Sequence, residues 1–170
     1  MSDHQNAFRA FLNRAEDDGW ISSYKWFEGE SFVLLREEMN SHVYEIGSRS
    51  HKKATNGTWL GLAVEADYGT AIGVDLELLI ERPILNDPTW LSQRLGLSRH
   101  TTPKEILEDW SCREAAFKCL APHNKGRYLS QFRKEGPGKY AIFMNGEDRY
   151  IQTKTLWWEK WVLALAWRLT

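Results

Sequence analysis

From residue 70 to residue 79 the chain alternates between apolar residues and others with a period of two, the repeat of a half-buried β-strand. Ile72, Val74, Leu76 and Leu78 fall on one face, and Gly73, Asp75 and Glu77 on the other. The apolar face calls for a core beneath it. The opposite face presents two anionic oxygen donors side by side. Some forty residues later comes Trp110-Ser111-Cys112-Arg113-Glu114-Ala115-Ala116-Phe117-Lys118, which reads as a helix. On a helix Glu114 and Lys118 are four residues apart and project together.

Asp75, Glu77 and Glu114 are the donor type that a hard divalent cation such as Mg²⁺ takes, together with waters or substrate phosphates. A lysine one helical turn away, Lys118, completes a site for a diphosphate held through the metal. Each part alone has an ordinary explanation. An Asp-x-Glu pair is common on any solvated sheet face. Glu114 with Lys118 is a helix salt bridge of about 0.2–0.5 kcal/mol. Trp110 and Phe117 are core residues. The joint pattern, in this order and on these elements, carries the functional reading.

These two strings, in this order, resemble the signature of the 4′-phosphopantetheinyl transferases: Gly-x-Asp-x-Glu on a strand, then Trp/Phe-x-x-Lys-Glu-x-x-x-Lys on a helix. The resemblance covers roughly residues 70 to 120, and the Asp-x-Glu form is similar to the surfactin-synthetase-type branch. It implies transfer of 4′-phosphopantetheine from coenzyme A to a serine of an acyl or peptidyl carrier protein, releasing 3′,5′-ADP. It assigns Mg²⁺ to Asp75, Glu77 and Glu114, gives Glu114 the serine proton, and sets Lys118 on a diphosphate oxygen. It also points to Ser50 and His51, in Gly47-Ser48-Arg49-Ser50-His51-Lys52-Lys53, as the element gripping coenzyme A phosphates. Arg49, Lys52 and Lys53 make this the densest basic cluster in the chain, and phosphates favour such clusters. The chain departs from the family at Arg113, where the family has Lys; the charge is kept, but a guanidinium does not readily release a proton.

The fold implied is α+β, with two pseudo-symmetric halves and a shortened first half. Residues 1–170 then form one domain, split into 1–69 and 70–170, the second carrying the metal and catalytic motifs. Two competing readings are a different Mg²⁺-dependent diphosphate-cleaving enzyme and a non-catalytic module that binds coenzyme A or a carrier protein.

Local signals outline the elements. Residues 3 to 18 read as a helix with Ala7, Phe8, Phe11, Leu12 and Ala15 on one face. Residues 20 to 27 and 31 to 37 read as strands of a hairpin, and 42 to 46 and 58 to 66 as further strands. Asp87-Pro88 reads as a helix start, with that helix running to Leu95 and ending at Gly96. Thr102-Pro103-Lys104-Glu105 is a capping box that opens the motif helix, which runs to Leu120. Strands near 139–145, 148–157 and 160–169 close the chain, the first two joined by a tight Asn145-Gly146 turn.

Composition narrows the class. A chain of 170 residues with 42% hydrophobic content can bury a sizeable core. With 22 basic and 23 acidic residues, net charge −1, no global basic field invites nucleic acid. Cys112 and Cys119, two turns apart on one helix, are too distant for a disulfide and too few for a zinc site, so a reduced, cytoplasmic chain is expected. No apolar run reaches membrane-spanning length, and Met1 to Asn6 lacks the features of a signal peptide. The expected assembly is a monomer or small homo-oligomer. Nine tryptophans invite a stacking-platform reading, but Trp161, Leu163, Leu165, Trp167 and Leu169 alternate as core and cross-strand residues do. Lys125, Arg127, Arg133 and Lys134 follow the motif helix, where they could meet an acidic carrier protein or form a solvated basic loop.

Overall fold

The computed structural model describes residues 3–42, 47–67, 69–80, 93–97, 102–121, 123 and 125–169. The architecture is mixed α+β with two antiparallel sheets. Helix α1 (Asp3–Asp17) precedes strand β1 (Ser23–Gly29), helix α2 (Phe32–Ser41), β2 (Gly47–Lys53) and β3 (Trp59–Glu65). These strands form a three-stranded sheet of order β1-β3-β2. Then follow β4 (Thr70–Leu78), helix α3 (Pro103–Cys119), β5 (Arg133–Gly136), β6 (Lys139–Met144), β7 (Glu147–Trp158) and β8 (Trp161–Leu169). They form a five-stranded sheet of order β4-β8-β7-β6-β5.

The period-two pattern has the expected result. Ile72, Val74, Leu76 and Leu78 enter one core with Leu163 and Leu165 of β8, Leu60, Leu62 and Val64 of β3, and Phe8, Leu12 and Ala15 of α1. That core lies between the two sheets, with α1 closing it. A second core lies beneath α3, where Cys112, Ala115, Ala116 and Cys119 meet Tyr140, Ile142, Ile151, Ala164 and Ala166. The alternating residues of β8 therefore divide, large side chains to one core and alanines to the other. Tryptophans serve the packing: Trp20 stacks on Trp167 with ring centroids 4.4 Å apart. Both cysteines are buried and free. The turn between β6 and β7 sits on Asn145 and Gly146, both at positive φ (53° and 87°), as a tight hairpin requires.

The stretch 31–37 departs from expectation: it belongs to α2, not to a hairpin strand. A short apolar run cannot be sorted into helix or strand by periodicity alone. Here tertiary packing decides. Leu35 and Met39, one turn apart, bury against the outer face of the three-stranded sheet with Phe27 and Ala63. They close over Gly61, where an added Cβ would meet Met39 Sδ at 2.6 Å. Residues 43–46 of the strand expected at 42–46 and most of the helix expected from Asp87 lie outside the described residues, although 93–95 are helical and Gly96 follows in a turn. Strand β5 adds a short edge that the sequence reading did not include. Among the described residues no helix is long and apolar enough to cross a membrane.

Candidate functional site

Helix α3 crosses β4 in very close contact. Its start is secured by the capping box: Thr102 Oγ1 accepts from the Glu105 amide at 3.2 Å, and Glu105 accepts from the Thr102 amide at 2.7 Å. At the crossing, a Cβ on Gly73 would lie 1.8 Å from the Ala115 carbonyl oxygen and 2.7 Å from the Cys119 nitrogen. Only glycine permits this approach. The helix positions flanking Ala115 thus come down over the polar face of β4. Ser111, Glu114 and Lys118 occupy that stripe, at the i, i+3 and i+7 spacing of one helix face, above Asp75 and Glu77.

Asp75 is the centre of the arrangement and is only 4% exposed. Its Oδ1 accepts from Lys118 Nζ at 2.8 Å and from Ser50 Oγ at 3.1 Å. Its Oδ2 accepts from Ser111 Oγ at 2.9 Å. Lys118 Nζ also donates to the Val74 carbonyl at 3.0 Å and lies 3.4 Å from Ser50 Oγ. Ser50 Oγ in turn accepts from the Leu76 amide at 3.0 Å, and Ser48 Oγ accepts from the Val74 amide at 3.0 Å. The two sheets therefore meet at β2 and β4 through serine side chains rather than through a backbone ladder.

Glu77 forms an ion pair with Lys52 of β2. Burial raises the Glu114 carboxyl above its ordinary range, and the neighbouring Asp75 and Glu77 charges add to this, while Lys118 and Lys52 oppose it. Three carboxylates and two ammonium groups thus share one electrostatic cluster. The all-oxygen donors Asp75, Glu77 and Glu114 have the chemistry a hard cation takes, and the mutual repulsion felt by Glu114 is what a bound cation would relieve. Among the described residues, however, no three such side chains are arranged to hold a metal as they stand. Lys118 and Lys52 supply the positive charge on the two strand carboxylates.

Ser50 and His51 are adjacent in sequence but point to opposite faces of β2, as alternation on a strand demands. Ser50 is committed to Asp75. The His51 ring packs beside Phe32 at 4.8 Å and Trp59 at 6.0 Å between centroids. Its imidazole is held below the ordinary 6.5 by burial first, then by Lys118, Arg36 and Lys52. A cleft of about 450 Å³ opens at this end of the sheets, lined by His51, Lys52, Lys53, Thr55, Trp59, Leu78 and Ile80 among others. It couples a basic wall to an aromatic one next to the Glu77 carboxylate. Arg49 is used elsewhere: it donates to the Met39 carbonyl at 3.1 Å and to Asn40 Oδ1 at 2.7 Å, closing the end of α2.

Arg113 faces away from the carboxylates. It is 2% exposed and donates to Asp109 Oδ2 at 2.6 Å, to the Leu129 carbonyl at 3.1 Å, to the Leu95 carbonyl at 2.8 Å and to the Phe132 carbonyl. Asp109 also accepts from the Tyr140 hydroxyl at 2.6 Å. Arg113 thus joins α3 to the segments around residues 95 and 130. Of the basic residues after α3, Arg133 pairs with Asp148 at 2.8 Å and Glu135 at 3.3 Å, and Lys134 lies 3.9 Å from Asp109.

The residues missed from sequence are Ser111, Ser48 and the specific Lys52–Glu77 pairing. Ser111 carried a readable signal, since it precedes Glu114 by three and Lys118 by seven. The β2 serines carried none, because their partners are backbone amides of another strand. Compared with known proteins, the chain matches no family model and no curated sequence.

Proposed function

We propose that this chain is a 4′-phosphopantetheinyl transferase, moving the phosphopantetheine of coenzyme A to a carrier-protein serine. The observation that carries the reading is the crossing of α3 over Gly73, which gathers Glu114 and Lys118 onto Asp75 and Glu77, beside a basic cleft of about 450 Å³. The three- and five-stranded sheets, each with a helix seated on a strand glycine, support the two-half fold that the signature implies.

Asp75, Glu77 and Glu114 would hold Mg²⁺, which supplies neutralisation of charge on the diphosphate. The remaining work falls to the chain. Lys52, Lys53 and His51 line the cleft that receives coenzyme A phosphates, and Trp59 offers an apolar wall there. Lys118 carries positive charge to the reacting diphosphate, where electrostatic stabilisation counts most. The serine oxygen of the carrier bonds to the β-phosphorus, the bond to the leaving 3′,5′-ADP breaks, and the serine proton passes to Glu114. A carboxylate whose pKa is raised by burial is a better proton acceptor than a solvated one.

One observation favours the non-catalytic alternative. Lys118 is already engaged by Asp75, Val74 and Ser50, which suits a binding module with a static junction. The test is incubation with coenzyme A, Mg²⁺ and a panel of apo-carrier proteins, read by intact mass. A carrier that gains phosphopantetheine, with release of 3′,5′-ADP, bears out the transferase. Coenzyme A binding without any transfer assigns the binding module. Coenzyme A cleavage without a carrier assigns a diphosphate-cleaving enzyme.

A further inference from the structure

We infer that the pocket between the first half of α3 and strands β6 and β7 is a binding site for a small amino alcohol, a compound with a primary ammonium and a hydroxyl. The inference is independent of the transferase reading, because the pocket lies on another face of α3 from Glu114 and Lys118. Glu105, Glu108, Asp109 and Cys112 recur at i, i+3, i+4 and i+7, the spacing of one helix face. That face forms one wall of a cavity of about 270 Å³. Opposite it, the inward row of β7 turns polar. Ile151 belongs to the core, whereas Thr153 and Thr155, next on the same side of the strand, line the cavity. Tyr140 of β6 and Lys134 of β5 line it as well. A helix seated on a sheet ordinarily fills such a space with apolar side chains. Here carboxylates and hydroxyls surround it.

Two polar groups with unused bonding capacity define the ligand. Thr153 is 3% exposed, and its Oγ1 is sealed from solvent with no hydrogen-bond partner among the described residues. The Cys112 thiol faces it, but sulfur is a weak donor and a weak acceptor. The threonine proton is therefore left for an acceptor that enters the cavity. Glu108 is the second group. Its Oε1 accepts from Thr155 Oγ1 at 3.2 Å and its Oε2 from Trp157 Nε1 at 2.6 Å. Both donors are neutral, and a carboxylate offers about four lone-pair sites, so Glu108 keeps room for a cationic donor. Asp109 beside it is bonded to Arg113 and Tyr140. The Lys134 ammonium approaches Asp109 Oδ1 only to 3.9 Å, beyond hydrogen-bond length. Glu105, Glu108 and Asp109 thus outnumber Arg113 and Lys134, and the wall is negative. A ligand ammonium brings three donors to Glu108 and Asp109, while the ligand hydroxyl accepts from Thr153. At about 30 Å³ per water, the cavity has the volume of about nine waters, room for roughly four to eight ligand atoms besides hydrogen.

The probe is ethanolamine, with ethylene glycol and glycolate as controls of similar size and of neutral and negative charge. Each is titrated into the full chain at neutral pH and followed by the NMR signal of the Trp157 indole N–H, which bonds to Glu108. Ethanolamine is expected to shift that signal saturably, with a dissociation constant on the order of 1 mM for so small a ligand, and roughly tenfold more tightly than either control, since its bonds are charge-assisted. Thr153→Val is expected to weaken ethanolamine about threefold to tenfold without lowering the thermal midpoint, because the hydroxyl removed had no partner. Thr153→Ser, which keeps the hydroxyl, is expected to bind within about threefold of the parent. Lys134→Gln removes a competing positive charge and is expected to tighten ethanolamine by about twofold to fivefold. If Thr153→Val does not fold, Thr153→Ala takes its place. Ethanolamine affinity equal to the parent's in a folded Val or Ala variant overturns the role given to the hydroxyl. Equal affinity for ethanolamine and ethylene glycol, or a preference for glycolate, overturns the ammonium assignment. No saturable shift with any of the three leaves the pocket to water and overturns the site. None of these outcomes touches the transferase reading, which the carrier-protein assay tests by itself.

Discussion

Replacing Gly73 by alanine tests the crossing on which the site depends. The new Cβ would stand 1.8 Å from the Ala115 carbonyl oxygen, and ordinary contact begins near 3.4 Å, so α3 must retreat by roughly 1.6 Å. The obstacle is backbone on both sides, so no side-chain rotation relieves it. Overpacking of this kind costs about 1–3 kcal/mol. The retreat also stretches the 2.8 Å and 2.9 Å contacts from Lys118 and Ser111 to Asp75, each a charge-assisted bond worth about 1.5–3 kcal/mol. Part of that loss is recovered by local shifts, leaving an expected destabilisation of about 3–6 kcal/mol. At about 2–4 °C per kcal/mol for a chain of this size, the thermal midpoint should fall by roughly 6–24 °C. Urea unfolding followed by tryptophan fluorescence gives the free energy directly. Gly136→Ala is the control, since a Cβ there meets nothing within 4 Å and should change stability little. A Gly73→Ala protein within about 1 kcal/mol of the parent, a shift smaller than the overpacking and bond losses allow, would refute the argument that α3 is seated on backbone.

Two further outcomes follow from the buried charges. Arg113→Lys keeps a charge beside Asp109 but should cost about 1–3 kcal/mol for each buried carbonyl left without a donor, because a lysine cannot serve Asp109 and three carbonyls at once; equilibrium unfolding checks it, and a Lys variant as stable as the parent would sink the account. Glu114 has a folded-state pKa above its unfolded value, so its protonated form favours the folded chain at low pH and that advantage is lost as pH rises through the folded pKa. Glu114→Gln should therefore gain stability over the parent on going from pH 4 to pH 7 in metal-free buffer; denaturant titrations at both pH values would contradict this by showing a constant difference.

Much of the scaffold was legible because its signals are local. The alternation in β4, the capping box of α3 and the Asn145-Gly146 turn each involve residues within a few positions of one another. Helix α2 was not, because Leu35 and Met39 become a buried face only through Gly61 on a strand more than twenty residues away. The site divides in the same way. Asp75, Glu114 and Lys118 could be brought together from two motifs, since strand and helix geometry orient them. The resemblance pairs Ser50 and His51 as a single grip, but strand alternation sends one to Asp75 and the other towards Phe32 and Trp59. Arg113 was visible as a departure from pattern. Its role was not, because three of its acceptors are carbonyl groups, which every residue has.

Strand β4 forms one edge of its sheet, and the amides of an exposed edge are a template on which another molecule can add a strand. Here the outward amides of Val74 and Leu76 are occupied by the hydroxyls of Ser48 and Ser50. A foreign strand would have to strip away both hydroxyls and push β2 aside before it could pair. The contact that joins the two sheets therefore also guards the chain against edge-to-edge aggregation.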